Sequence, residues 1–147
     1  MKALLVVAAL LSGAALAVQV GLNGELRART RHPILAAAIS FAVGTAVLAG
    51  VLAAIRPEWP DRQALARAPR WMWLGGVVGA GYVTAAAAFA PRMGAAPWLG
   101  LIVTGQILTS LVLDHYGLVG FPSHPLTWPR AVGAVLLLLG VVLVLRN

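Results

Sequence analysis

The sequence predicts an all-α membrane protein with five transmembrane helices in each chain. Of the 147 residues, 61% are apolar and 10% charged, where a soluble domain carries about 25% charged residues. The mean hydropathy is +0.90. Five apolar stretches run over Ala3–Leu22, Ile34–Ile55, Trp71–Ala90, Ala95–Leu113 and Ala131–Leu145, and none contains Asp, Glu, Lys or Arg. A span needs about 20 such residues, so the last stretch is short and begins near Trp128. The connections are too short for a soluble domain, and a single transmembrane domain over 1–147 is expected.

The first stretch imitates a secretory signal, with Lys2 before an apolar run and Ala15-Leu16-Ala17 as a cleavage-like site. The run continues through Val18, Val20 and Leu22 beyond that site, so it is read as the first transmembrane helix. A connection from Asn23 to Pro33 follows, with Glu25, Arg27, Arg29 and Arg31. Pro33 suits the first turn of the second span, where its missing N–H costs nothing.

The second connection, Arg56 to Arg70, carries most of the remaining charge, and Asp61–Ala68 within it suggests a short helix at headgroup level. Trp59, Trp71 and Trp73 stand where an interfacial aromatic belt would put them. Pro91-Arg92-Met93-Gly94 is short enough to turn the third and fourth spans into an antiparallel hairpin. The fourth connection runs from Asp114 to about Thr127 and holds Gly117, Gly120, Pro122 and Pro125. A loop of that length without helical pattern is often a lid or gate. Thr127 is placed to cap the last helix, with Pro129 in its first turn.

Threading the chain through a bilayer puts Lys2, Arg56, Arg62, Arg67, Arg70 and Arg130 on the N-terminal side. Arg27, Arg29, Arg31, Arg92 and Arg146 fall on the other. Lys/Arg excess in short loops sets the orientation of a helical membrane protein. Six against five is close to no instruction, so two opposed copies can arise from one chain. The net charge of +7 invites a nucleic-acid reading. These arginines, however, sit beside apolar spans as headgroup anchors, with membrane lipid as their partner and no nucleic acid.

Polar side chains inside spans face a packed interior or a cavity. Ser12, Gln19 and Asn23 share one face of the first span, and Gln106, Ser110 and Asp114 recur at four-residue steps in the fourth, beside Thr109. Ser40 and Thr45 lie in the second span, Tyr82 and Thr84 in the third, and the fifth has none. Two readings compete: interhelical hydrogen bonding, worth about 0.6 kcal/mol on average, or a solute pathway. For the small hydroxyls the first is favoured, because they satisfy themselves on their own helix. For Gln19, Asn23 and Gln106 the two stand level, since a carboxamide against an apolar wall is costly. The pathway candidates are Gln19, Asn23, Gln106, Ser110, Ser12 and Tyr82.

Asp114 and His115 close the fourth span. A carboxylate there meets the negative end of the helix dipole, so a counter-charge is needed, and arginines 56, 62, 67, 70 and 130 lie on the same side. The pair is read as a structural ion pair or a proton- or ion-sensitive gate. Gly75 and Gly79, with Gly76, Ala80, Thr84 and Ala88, mark close packing on the third span, within the subunit rather than at a dimer seam, and Gly133 and Gly140 lie on a fifth span suited to face lipid or a dimer partner.

Without Cys there is neither a disulfide framework nor a thiolate metal site. No phosphate-binding glycine loop, metal-ligand cluster or nucleophile–base pair is visible, so no cofactor, metal or enzymatic activity is expected. No carboxylate lies deep in a span, which disfavours an organic-cation mechanism and leaves neutral or anionic solutes.

Gln19-x-x-x-Asn23 ending the first span, Trp71-x-Trp73-x-Gly75-Gly76 opening the third, and Gly105-Gln106 with Asp114-His115-Tyr116-Gly117 in the fourth resemble the YdcZ-type proteins. These are short bacterial members of the drug/metabolite transporter superfamily, and the likeness covers nearly the whole chain. It implies a multi-pass inner-membrane exporter acting as an antiparallel homodimer, or as a pair of oppositely oriented homologues. The related small multidrug resistance proteins carry an acidic residue in their first helix that this chain lacks, so their proton-coupled mechanism does not carry over.

A small-solute transporter working by alternating access is therefore expected. Two opposed copies would form a ten-helix inverted repeat with a site near the midplane. The alternatives are a small-anion channel built as a dual-topology dimer, and a non-transporting membrane subunit.

Overall fold

A computed structural model describes residues 2–146. In chain order it forms α1 (Lys2–Thr30), α2 (Pro33–Ile55), the short α3 (Arg62–Ala66), a 3-10 turn (Arg70–Trp73), α4 (Leu74–Met93), α5 (Ala95–Tyr116) and α6 (Trp128–Leu145). Five of these segments are long and apolar enough to cross a membrane, the third running Arg70–Met93 through the 3-10 turn. The chain divides into two compact units, Met1–Arg92 and Met93–Asn147, and each is described by itself.

In the first unit α1 runs well past the expected end at Leu22. Its 29 residues make about 43 Å at 1.5 Å per residue, more than the roughly 30 Å hydrocarbon core. Hydropathy marks the edge of the lipid, whereas Glu25, Leu26, Arg27, Ala28 and Arg29 are good helix formers that carry the helix into the headgroups. The expected eleven-residue connection shrinks accordingly to Arg31 and His32. Arg31 turns left-handed at φ 57°, and its N–H donates to the Arg27 carbonyl at 2.8 Å. His32 is extended, as the residue before a proline should be, and Pro33 opens α2. α1 and α2 pack against each other as a helical hairpin.

α2 ends where Arg56 turns left-handed and its N–H donates to the Leu52 carbonyl at 2.8 Å. The expected interfacial helix is present but shorter. Asp61 caps it through Oδ1, which accepts from the Gln63 N–H at 3.0 Å. α4 continues through Pro91 to Met93, so the expected four-residue connection reduces to Gly94 at φ 90°.

The buried residues of this unit are small: Val20 and Asn23 on α1, Ala36 and Ala37 on α2, and Val83, Ala86, Ala87 and Ala90 on α4. The α4 positions repeat at three- and four-residue steps, the spacing of one helix face. Small side chains let helix backbones approach closely where lipid supplies no hydrophobic drive. The closest approach is Gly24, where an added Cβ would lie 3.0 Å from the Pro91 ring. Large apolar side chains point outward, Leu4, Leu10 and Val47 among them. That is the arrangement a lipid solvent allows.

In the second unit α5 and α6 pack together, with Thr104 and Ala134 buried. A Cβ on Gly100 would meet Val141 at 3.2 Å, and the Thr104 hydroxyl donates to the Gly100 carbonyl at 2.8 Å. α5 ends in a left-handed Gly117 at φ 62°, with the Leu118 N–H on the Leu113 carbonyl at 2.9 Å. This is a glycine C-cap. Thr127 occupies the N-cap of α6, but its side chain makes no capping hydrogen bond, contrary to expectation.

Candidate functional site

A cleft of about 230 Å³ opens in the first unit, lined by Gln19 of α1, Ser40, Phe41, Gly44, Thr45 and Leu48 of α2, and Val83 of α4. The α2 residues recur at one- and four-residue steps, so a single face of that helix forms the wall. An added Cβ on Gly44 would meet nothing within 4 Å. Gln19 also borders a more open hollow with Ser12, Ala15 and Leu16, which is the α1 stripe anticipated from spacing.

The hydroxyls of this chain divide into two groups. Ser12 donates to the Ala8 carbonyl at 2.8 Å, and Thr104 bonds back to Gly100. Both satisfy themselves on their own helix. Ser40 and Thr45 make no side-chain hydrogen bond among the described residues, and neither does Gln19. Three polar groups therefore converge on one cleft with their donors and acceptors unused. Gln19 and Thr45 are exposed and Ser40 is half-buried, so a hydrogen-bonding solute meets them without breaking a contact among the described residues.

The remaining pathway candidates fall elsewhere. Asn23 is buried one turn beyond Gln19, at 4% exposure, and does not line the cleft. The Tyr82 hydroxyl is buried without a hydrogen-bond partner, next in sequence to the lining residue Val83. Gln106 and Ser110 lie exposed on α5 in the second unit. Among the glycines, Gly79 faces the Phe41 ring at 3.6 Å, whereas a Cβ on Gly75, Gly133 or Gly140 would meet nothing within 4 Å. The close approach on α5 and α6 is instead Gly100 to Val141, a pair whose only sequence signal is the small-residue spacing Gly100-x-x-x-Thr104.

The fourth connection is laced together. Asp114 Oδ2 lies 3.4 Å from Arg130 Nη1, so of the five arginines considered it is Arg130 that pairs. The Asp114 carbonyl accepts from the His124 N–H at 2.7 Å, and Arg130 also donates to the His124 carbonyl at 3.3 Å. His115 Nδ1 accepts from the Leu126 N–H at 3.1 Å, which requires the ring to be neutral with its proton on Nε2. The His115 carbonyl accepts from the Ser123 hydroxyl at 3.3 Å. The Tyr116 ring stands edge-on to the imidazole at 4.7 Å. Ser123 and His124 were not anticipated, since loop residues carry no periodicity to reveal their partners.

A family model described as "Putative inner membrane exporter, YdcZ" matches residues 4–143. The chain belongs to the YdcZ family. It is accordingly a multi-pass inner-membrane protein, with five helices able to span, and its family is described by export rather than by a chemical reaction. No curated protein and no solved structure matches the chain. None of the residues lining the cleft of the first unit is charged.

Proposed function

We propose that this YdcZ-family protein moves small solutes by alternating access, as an antiparallel homodimer whose two copies form a ten-helix inverted repeat. The observation that carries the transport reading is the cleft of Gln19, Ser40 and Thr45, whose side chains make no hydrogen bond among the described residues. Polar groups inside membrane helices are costly unless a partner or a solute meets them. In the second unit Gln106 and Ser110 of α5 offer a polar face of their own, and Asp114 with His115 holds the fourth connection.

The antiparallel arrangement is supported by the near-even division of positive charge and by the odd number of spans, which puts the termini of one copy on opposite faces. Two opposed copies then present both ends of each helix to both sides of the membrane, as inverted-repeat transporters do within one chain.

The arrangement is tested by cysteine labelling, which the Cys-free sequence makes unambiguous. With Glu58→Cys in the second connection, a membrane-impermeant maleimide applied to intact spheroplasts should label about half of the copies if orientation follows the near-even charge tally. The rest should react only after permeabilisation. Labelling of all copies or of none before permeabilisation contradicts the single-gene antiparallel dimer.

A further inference from the structure

We propose that the cleft of the first unit selects an uncharged, hydrogen-bonding solute with a flat apolar part, smaller than a typical drug. The proposal rests on the transport reading only for the identification of the cleft as the solute's site.

The lining itself sets the class. None of the seven residues around the cleft is charged, and the apolar stretches 3–22, 34–55 and 71–90 contain no Asp, Glu, Lys or Arg. An ion entering the cleft would lose its hydration without a counter-charge, a cost of several kcal/mol. A neutral solute avoids that cost. Gln19 offers both a carbonyl acceptor and an N–H₂ donor, and each hydroxyl of Ser40 and Thr45 both donates and accepts. The site is therefore complementary to a group with a donor and an acceptor side by side, such as a primary amide.

The opposite character lies beside it. Phe41, Leu48 and Val83 supply an apolar surface, which favours a ring or short alkyl portion on the same molecule. Size follows from volume. About 230 Å³ lies below the roughly 300–1,000 Å³ of pockets that hold drug-sized ligands.

Benzamide fits this description, and benzoate and benzamidinium are its near-isosteres carrying one negative and one positive charge at pH 7. Equilibrium dialysis of tritiated benzamide against the full chain in detergent should show saturable binding. Gln19→Leu should weaken it about tenfold, the worth of one well-made hydrogen bond. Gly44→Leu should abolish it, since the new side chain enters the cleft while its Cβ meets nothing in the chain. That variant should retain the wild-type melting profile. Unlabelled benzamide should displace the label, and neither charged isostere should do so at the same concentration.

Displacement by benzoate or benzamidinium as effective as by benzamide overturns the charge selection. Unchanged binding in a folded Gly44→Leu variant overturns the site. Absence of saturable binding, with Gln19→Leu raising the melting temperature, overturns the proposal in favour of a cleft filled by a lipid acyl chain. Transport is read separately: binding in the cleft without flux in proteoliposomes refutes the transport reading and leaves the site standing. Flux of a charged solute that ignores Gly44→Leu refutes the site and leaves transport standing.

Discussion

In the first unit Gln19, Ser40 and Thr45 line a cleft and make no side-chain hydrogen bond among the described residues, while in the second the polar groups of the fourth connection are tied together. Asp114 meets Arg130, His115 holds the Leu126 N–H, and His124 is engaged at its N–H and its carbonyl. Both sets sit in an oily chain, but only one is satisfied within it. A satisfied set contributes to stability, so its removal weakens the fold. An unsatisfied set costs stability, so its removal should leave the fold unharmed and injure whatever binds there.

Substitutions can break that contrast. The largest effect is expected from Gly44→Leu, which should eliminate solute flux in proteoliposomes with no loss of melting temperature. Loss of flux together with unfolding would erase the distinction between the regions. Next comes Gly24→Val, where a Cβ meets Pro91 at 3.0 Å. Overpacking of this kind costs about 1–3 kcal/mol, read by equilibrium unfolding in mixed micelles, and it marks α1 against α4 as structural rather than solute-binding.

A smaller effect is expected in the fourth connection. Arg130 and Asp114 are partly exposed, at 37% and 27%, so Asp114→Asn should cost only about 0.2–1 kcal/mol. The loss should shrink as salt is raised. A gain in stability there would contradict the structural reading of the pair. The least effect is expected from Ser12→Ala. Its hydroxyl bonds its own helix, so unfolding should move by less than about 0.5 kcal/mol and flux should not change.

The five spans were legible because long charge-free apolar runs have few other solutions in a chain this oily. The short helix of the second connection was legible as well, expected over Asp61–Ala68 and found at Arg62–Ala66, with Asp61 as the cap before it. Helix ends were not. α1 continues to Thr30 because residues suited to headgroups also suit helices, and Gly94 alone separates α4 from α5 because Pro91 is accommodated within the final turn of α4.

The site was legible only in part. Gln19 stood out as a carboxamide in an apolar run, and the need for a counter-charge at Asp114 was read from the helix dipole. Ser40 and Thr45 were indistinguishable from Ser12 by residue type. Whether a hydroxyl turns to its own carbonyl or toward a cleft is decided by packing around it, which local sequence does not encode. Gly44 was not singled out either, since nothing in the local sequence shows that it borders the cleft.

The central claim is that solute crosses the membrane through the cleft of the first unit. The most direct measurement is counterflow of labelled benzamide in proteoliposomes loaded with unlabelled benzamide, comparing the full chain with Gly44→Leu. Transient, saturable accumulation in the wild type and none in the variant is the predicted result. Equal accumulation by both, with the variant folded, would contradict it.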